Sequence, residues 1–142
     1  GKCPLIIPVL NGAFMVAADL LKRINIDCEI SFTKLSSYSG TSTTGTVKNL
    51  IGLGNDVEGR DIILLEDIVD TGITLEKLEI EVEKFNPKSV KVATLLLKPE
   101  AYHFRIPLAY VGLEIPNKFI VGYGLDYDGL GRNLKNIYVV TN

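Results

Sequence analysis

Ile62-Ile63-Leu64-Leu65-Glu66-Asp67-Ile68-Val69-Asp70-Thr71-Gly72-Ile73-Thr74 is the stretch on which the reading of this chain turns. From Asp61 to Leu65 the residues are almost all β-branched or aliphatic, which suits a central strand buried on both faces. Glu66 to Gly72 then reads as a polar, glycine-terminated loop. After it Leu75, Leu78, Val82 and Phe85 recur at helical spacing among Glu and Lys residues, predicting an amphipathic helix that stops before Asn86-Pro87. The first N–H groups of a helix have no intrahelical partner, and the dipole there favours negative charge. Asp70, Thr71, Gly72, Ile73 and Thr74 can therefore wrap a phosphate with backbone amides and threonine hydroxyls, and Gly72 lets the backbone come close. The carboxyl end of a central strand is also where open α/β sheets bind their ligands. Because no GxxxxGK[ST] run occurs, this is not a Walker loop. Three carboxylates beside a lone phosphate would only repel it, so Glu66 and Asp67 call for another ligand. A ribose offers hydroxyl donors and a divalent cation accepts carboxylates, so the pair fits a sugar carrying several phosphates. Helix capping would account for Asp70 or Thr71 taken singly, but not for the whole arrangement.

On the amino-terminal side, Leu5 to Leu10 is an apolar strand ending at Asn11-Gly12, and Phe14, Ala17, Ala18, Leu21 and Ile24 follow at helical spacing. Cys28, Ile30 and Phe32 alternate with Glu29, Ser31 and Thr33, which predicts a half-buried strand. Ser36 to Thr46 carries almost nothing apolar except Tyr38, so it reads as a mobile loop beside the cleft. Val47 to Leu53, Ser89 to Leu97, Leu108 to Leu113 and Ile137 to Val140 supply further strands. Strands alternating with helical segments predict an α/β fold, a mainly parallel twisted sheet with helices on both faces. No repeat, linker or composition break divides residues 1–142, so one domain is expected.

The 142 residues, 46% hydrophobic, are enough for a real core, and a net charge of −2 gives no broad basic field for a nucleic-acid backbone. No apolar run reaches the roughly 18 residues needed to cross a bilayer, so a soluble, cytoplasmic protein without membrane partners is expected. Cys3 and Cys28 stand beside apolar residues and read as buried reduced thiols. His103 is the single histidine, which leaves no histidine-based metal cluster, and it reads as a surface loop residue.

The apolar run, paired acids, two apolar residues and Asp-Thr-Gly-x-Thr together resemble the signature of the type I phosphoribosyltransferases, and within them the hypoxanthine-guanine group. The resemblance covers nearly the whole chain. Leu10-Asn11-Gly12 matches the family's pyrophosphate loop, Ser37-Tyr38 its covering loop, and Lys98 its purine-reading lysine. Lys118-Phe119-Ile120-Val121-Gly122-Tyr123-Gly124-Leu125-Asp126-Tyr127 and Arg132 match its purine- and metal-binding segment. What the resemblance implies is purine salvage, in which the phosphoribosyl group of phosphoribosyl pyrophosphate passes to a 6-oxopurine with Mg²⁺ as cofactor.

The implied roles follow by position. Asp70 would be the general base near N7. Glu66 and Asp67 would hold the ribose, and Asp126, with Glu66 and Asp67, the metal. Leu10, Asn11, Gly12 and Arg132 would take pyrophosphate. Lys98, Phe119 and Val121 would read the purine, and Ser37 and Tyr38 would form the lid. Two departures stand out: Asn11 occupies a position where many members have Lys, in a loop whose amides the family exposes through a cis peptide, and the residues that usually precede the first core strand are missing. An absent amino-terminal segment and an incomplete hood are therefore expected, together with a homodimer or homotetramer. The choice among hypoxanthine, guanine and xanthine stays open. A sensor of phosphoribosyl pyrophosphate is the competing class, although it would have no use for Lys98 and Phe119 as a base-reading pair.

Overall fold

The computed structural model describes residues 2–36, 48–51, 53–103 and 106–141. In chain order its elements are β1 (Leu5–Pro8), α1 (Phe14–Leu21), β2 (Glu29–Ile30), β3 (Lys34–Ser36), β4 (Lys48–Ile51), a 3-10 turn at Asn55–Val57, β5 (Asp61–Val69), α2 (Ile73–Glu83), β6 (Ser89–Leu97), β7 (Tyr110–Glu114), β8 (Ile120–Val121) and β9 (Tyr138–Val139). Five strands form one parallel sheet in the order β2-β1-β5-β6-β7. The predicted sheet is thus present, but the strand at Ile137 to Val140 is not part of it: β9 pairs antiparallel with β8, and β3 with β4, in two small separate ribbons.

Period-2 alternation assigns the faces. Leu5, Ile7, Ile62, Leu64 and Val92 pack with Leu75, Leu78 and Val82 of α2. Ile6, Leu65 and Ala93 point the other way and pack with Val16 and Ala17 of α1. The two helices therefore cover opposite faces. Leu64 and Leu78 are fully buried, and truncating either to Ala would cost about 2–5 kcal/mol. Helix α2 ends at Glu83, and Asn86 takes a left-handed φ of 53° just before Pro87, as the sequence signals.

Chain order reverses between β1 and β5. From β1 the chain crosses through α1 to β2 on one side; from β5 it crosses through α2 to β6 on the other. The two helices leave in opposite directions, so a crevice opens above the carboxyl ends of β1 and β5.

Three expectations need correction. The half-buried strand at Cys28 to Thr33 shrinks to Glu29–Ile30 at the sheet edge, where Ile30 and Phe32 are 45% and 43% exposed while Thr33, expected on the polar face, is fully buried. Cys3 is exposed and Cys28 only partly buried, since both lie outside the strands themselves. The third concerns β5, which continues well past Leu65. Among the described residues no helix is long and apolar enough to cross a membrane.

Candidate active site

Glu66 and Asp67 lie on β5, not in the loop expected from their charge. The ladder to β6 runs on through Glu66↔Thr94 and Ile68↔Leu96 to Val69↔Leu97. Acids are tolerated in the strand because this end of it borders the crevice, where both line the cleft wall. The chain then turns through Asp70 and Thr71 into Gly72, whose φ of 95° is open to glycine at no steric cost, and α2 starts at the next residue. Gly72 supplies no capping side chain, so the helix start faces the cleft with backbone N–H groups; Thr71 Oγ1 accepts only a long 3.4 Å bond from the Ile73 N–H. The turn after β6 braces this loop from behind. Lys98 N–H donates to the Val69 carbonyl (3.0 Å) and His103 N–H to the Thr71 carbonyl (3.2 Å). His103 is exposed as expected, and its backbone contact with the Asp70–Thr74 turn has no signal in the sequence.

Above the crevice is a cleft of about 370 Å³ whose walls include Leu10, Gly12, Glu66, Asp67, Asp70, Thr71, Gly72, Thr74, Asp126 and Arg132. A second hollow of about 210 Å³ shares Asp67, Ile68, Asp70, Leu125, Asp126 and Arg132 with it and adds Lys98, Phe119 and Ile120. One end thus carries a phosphate-type cradle, the other an ammonium group and an aromatic ring.

The charges are arranged in pairs. Lys98, far from being a surface lysine, has a side chain 8% exposed, and its Nζ lies 3.0 Å from Oδ2 of Asp70, which is 49% exposed. Burial of an ammonium is tolerable where a carboxylate answers it. Arg132 Nη2 lies 3.3 Å from Asp126 Oδ1, while its Nη1 donates to the Gly124 carbonyl at 2.7 Å. Asp126 Oδ2 also accepts from the Gly129 N–H at 2.9 Å. Burial pushes the Glu66 carboxyl well above the ordinary range, and the neighbouring Asp67 adds to the effect. Burial raises Asp67 as well, against the bond its Oδ1 accepts from the Ile68 N–H (2.8 Å) and the pull of Arg132.

Gly12 explains how Asp67 can sit against the loop after β1, since any Cβ on Gly12 would overlap the Asp67 carboxylate. The Leu10–Asn11 peptide is cis, in line with the resemblance. Leu10 and Gly12 line the cleft, while Asn11 is exposed and absent from its wall. Of the phosphate-loop set, Ile73 alone points away, half-exposed on α2. Phe119 is more than half exposed and meets Tyr127 edge-on, with centroids 5.5 Å apart. Val121 pairs with Tyr138 behind the hollow and is not part of its lining. Ser37 and Tyr38 lie outside the described residues. Among the described residues no group of three or more His, Cys, Asp or Glu side chains is spaced to hold a metal. Sequence reading missed Ile68 and Leu125, which floor both hollows.

A phosphate-type helix start at the switch point of a parallel sheet, with paired acids on the strand before it, defines a nucleotide- or sugar-phosphate-binding α/β protein. The phosphoribosyl transferase domain model matches residues 1–128, and the chain belongs to that family. It is 46% identical over 138 residues to the hypoxanthine-guanine phosphoribosyltransferase of Mycobacterium tuberculosis, covering 96% of this chain and 68% of that protein. To the enzyme of the same name from Streptococcus agalactiae it is 47% identical over 141 residues, covering 99% of this chain and 78% of that one. The crystal structure of a hypoxanthine-guanine phosphoribosyltransferase from Bacillus anthracis superposes with a TM-score of 0.91 at 42% identity, over 99% of this chain and 84% of that one.

Proposed function

We propose that the chain transfers the 5-phosphoribosyl group of phosphoribosyl pyrophosphate to hypoxanthine or guanine, releasing pyrophosphate, as a cytoplasmic, single-domain, homo-oligomeric enzyme of purine salvage. The observation that carries this reading is the Lys98–Asp70 pair, 3.0 Å apart at the junction of the two hollows. A 6-oxopurine presents O6 and N7 side by side on one edge. An ammonium suits the O6 acceptor, and a carboxylate suits a protonated N7. An amino group at the 6-position would put donor against donor, so the pair selects oxo over amino purines.

In this reading Asp70 takes the proton as the base reacts, a role worth on the order of 10² to 10⁴ in rate. Phe119, exposed beside Lys98, stacks on the ring for roughly 1–3 kcal/mol. Glu66, whose burial favours the protonated form, suits a ribose hydroxyl better than a cation. The amides from Asp70 to Thr74 take the 5-phosphate, and the Leu10–Gly12 loop with Arg132 takes pyrophosphate. For Mg²⁺ the available donors are Asp67 and Asp126. Mg²⁺ keeps several waters and is commonly bound by one or two carboxylates plus substrate phosphates, so Asp67 and Asp126 on one wall suit a cation that arrives with its diphosphate. Bound there, it would neutralise the charge growing on the leaving group.

The test is a spectrophotometric assay of hypoxanthine, guanine and xanthine with phosphoribosyl pyrophosphate, with and without Mg²⁺. Mg²⁺-dependent nucleotide formation from hypoxanthine or guanine is expected. If neither base is consumed while phosphoribosyl pyrophosphate still binds, the chain is a sensor.

A further inference from the structure

The segment carrying Asp126 and Arg132 is not part of the parallel sheet, so something else must set its height above the crevice. Its backbone turns repeatedly through left-handed conformations, with Gly122 at φ 106°, Gly124 at 100°, Gly129 at 83° and Gly131 at 91°. Tyr123 stands among them at φ 50°. Asn and Asp tolerate that region, as Asn86 and Asp128 do here, but a tyrosine is poorly suited to it. A bulky residue kept at such a position directs attention to its side chain. The Tyr123 ring packs against the cluster that includes Ala13, Val16 and Ala17, and its hydroxyl donates to Oδ2 of Asp19, 104 residues away on α1. That helix begins two residues after Gly12. Directly beside the tyrosine, Gly124 comes so close to the Gly12 carbonyl that a Cβ would overlap it, and the Gly124 carbonyl accepts from Arg132 at 2.7 Å.

We propose that Tyr123 and Asp19 are a positioning pair for the pyrophosphate end of the site: their bond fixes Gly122–Arg132 on α1 and so sets Arg132 and Asp126 over the Leu10–Gly12 loop. Neither side chain lines either hollow, so the pair acts through Arg132 and Gly12 and not by touching substrate. Burial and the Asp19 carboxylate push the phenol up to about 12, so the hydroxyl remains a donor throughout the neutral range. The purine end is held separately, by the pairing of Ile120 and Val121 with β9 and the Val140 N–H donated to the Phe119 carbonyl. Asp126 and Arg132 border the purine hollow as well, but Lys98 and Phe119 keep separate anchors, so loss of the bond should be felt most at the pyrophosphate end.

This inference rests on the proposed transferase activity, and the experiment separates the two. Steady-state kinetics of Tyr123→Phe, Asp19→Ala, Asp19→Asn and the Tyr123→Phe/Asp19→Ala double variant are measured against both substrates. Amide hydrogen exchange over residues 122–132 is followed in the same proteins. Tyr123→Phe should raise KM for phosphoribosyl pyrophosphate about tenfold and leave the purine KM within about twofold. Asp19→Ala should match it, the double variant should be no worse than either, and Asp19→Asn, whose amide oxygen still accepts, should recover most of the loss. The Gly124 and Gly129 amides should exchange about tenfold faster in Tyr123→Phe. Equal losses for both substrates, additive single effects, or unchanged exchange would each overturn the positioning role. A wild-type chain that forms no nucleotide refutes the activity instead, and the exchange data then decide whether the pair holds the segment.

Discussion

Replacing Lys98 by Met keeps the length and apolar stem of the side chain and removes only the ammonium. In the folded protein that ammonium answers Asp70, but the two partners are unequally placed: the Lys98 side chain is 8% exposed and that of Asp70 49%. Once unpaired, the Asp70 carboxylate can rehydrate, and the methionine relieves the desolvation that the buried ammonium suffered. Stability should therefore change by no more than about 1 kcal/mol in either direction, as for ion pairs with one wet partner. Catalysis should respond differently. A hydrogen bond from a charged donor contributes roughly 1.5–3 kcal/mol, so kcat/KM for hypoxanthine and guanine should fall about 10- to 150-fold. The readouts are steady-state kinetics with both purines and a thermal melt of the ligand-free protein. For a domain of this size a stability change of that order moves the midpoint by roughly 2–5 °C. A midpoint lowered by far more than this, with purine KM and kcat intact, would mean that Lys98 is a structural cation and does not read the base.

Asp70→Asn keeps the shape of the loop and removes the proton acceptor, so kcat should drop on the order of 10²-fold or more with KM for phosphoribosyl pyrophosphate little changed; single-turnover kinetics give the chemical step directly. Gly12→Ala forces a methyl into the Asp67 carboxylate, and the resulting shift of loop or acid should cost on the order of 10²-fold in kcat/KM for phosphoribosyl pyrophosphate. A fully active Gly12→Ala enzyme would show that the close approach is dispensable. Glu66 is raised above 4.5 in the folded state, which therefore holds an extra proton as the unfolded chain ionises. Its contribution is complete below 4.5 and is lost as pH rises toward the folded value, by up to about 1.4 kcal/mol per pH unit. Relative to wild type, Glu66→Gln should melt at about the same temperature near pH 4 and higher at pH 8; a pH-independent difference would contradict the assignment.

Where a segment's structure follows from its own side chains, the sequence was enough. Ile62–Leu65 and Leu95–Leu97 are aliphatic runs that suit a covered strand, and Leu75, Leu78 and Val82 can share a face only on a helix. Where the outcome depends on a distant partner, local pattern misled. Glu66 and Asp67 looked like loop residues because acids are unfavourable in strands. The β6 ladder carries them on as strand, since this end of β5 opens onto a cleft and not a helix. Conversely, the alternation from Cys28 to Thr33 promised a half-buried strand, but Ile30 and Phe32 stand at the surface while Thr33, expected on the polar face, is fully buried.

The same distinction separates the parts of the site. Asp70 to Thr74 and Leu10 to Gly12 each follow directly on a core strand, and Lys98 follows β6, so fixing three parallel strands fixes three of the four walls. Because α1 and α2 leave on opposite faces, the loops after β1 and β5 meet across the crevice with no helix between them. Nothing in residue periodicity could place the fourth wall. Asp126 and Arg132 hang from a segment shaped by left-handed turns and held by Gly124 on the Gly12 carbonyl and Tyr123 on Asp19, contacts between residues more than a hundred positions apart. The glycines at 122, 124, 129 and 131 are the one trace of this visible in the sequence, since such spacing marks a chain that must turn sharply and come close to other backbone. They announce that a close approach exists, while its target, the Gly12 carbonyl, is set by the tertiary fold. The placement of Asp126 and Arg132 therefore depends on long-range tertiary contacts and not on a ladder of the parallel sheet, and substitutions there should alter kinetics well before they alter the fold.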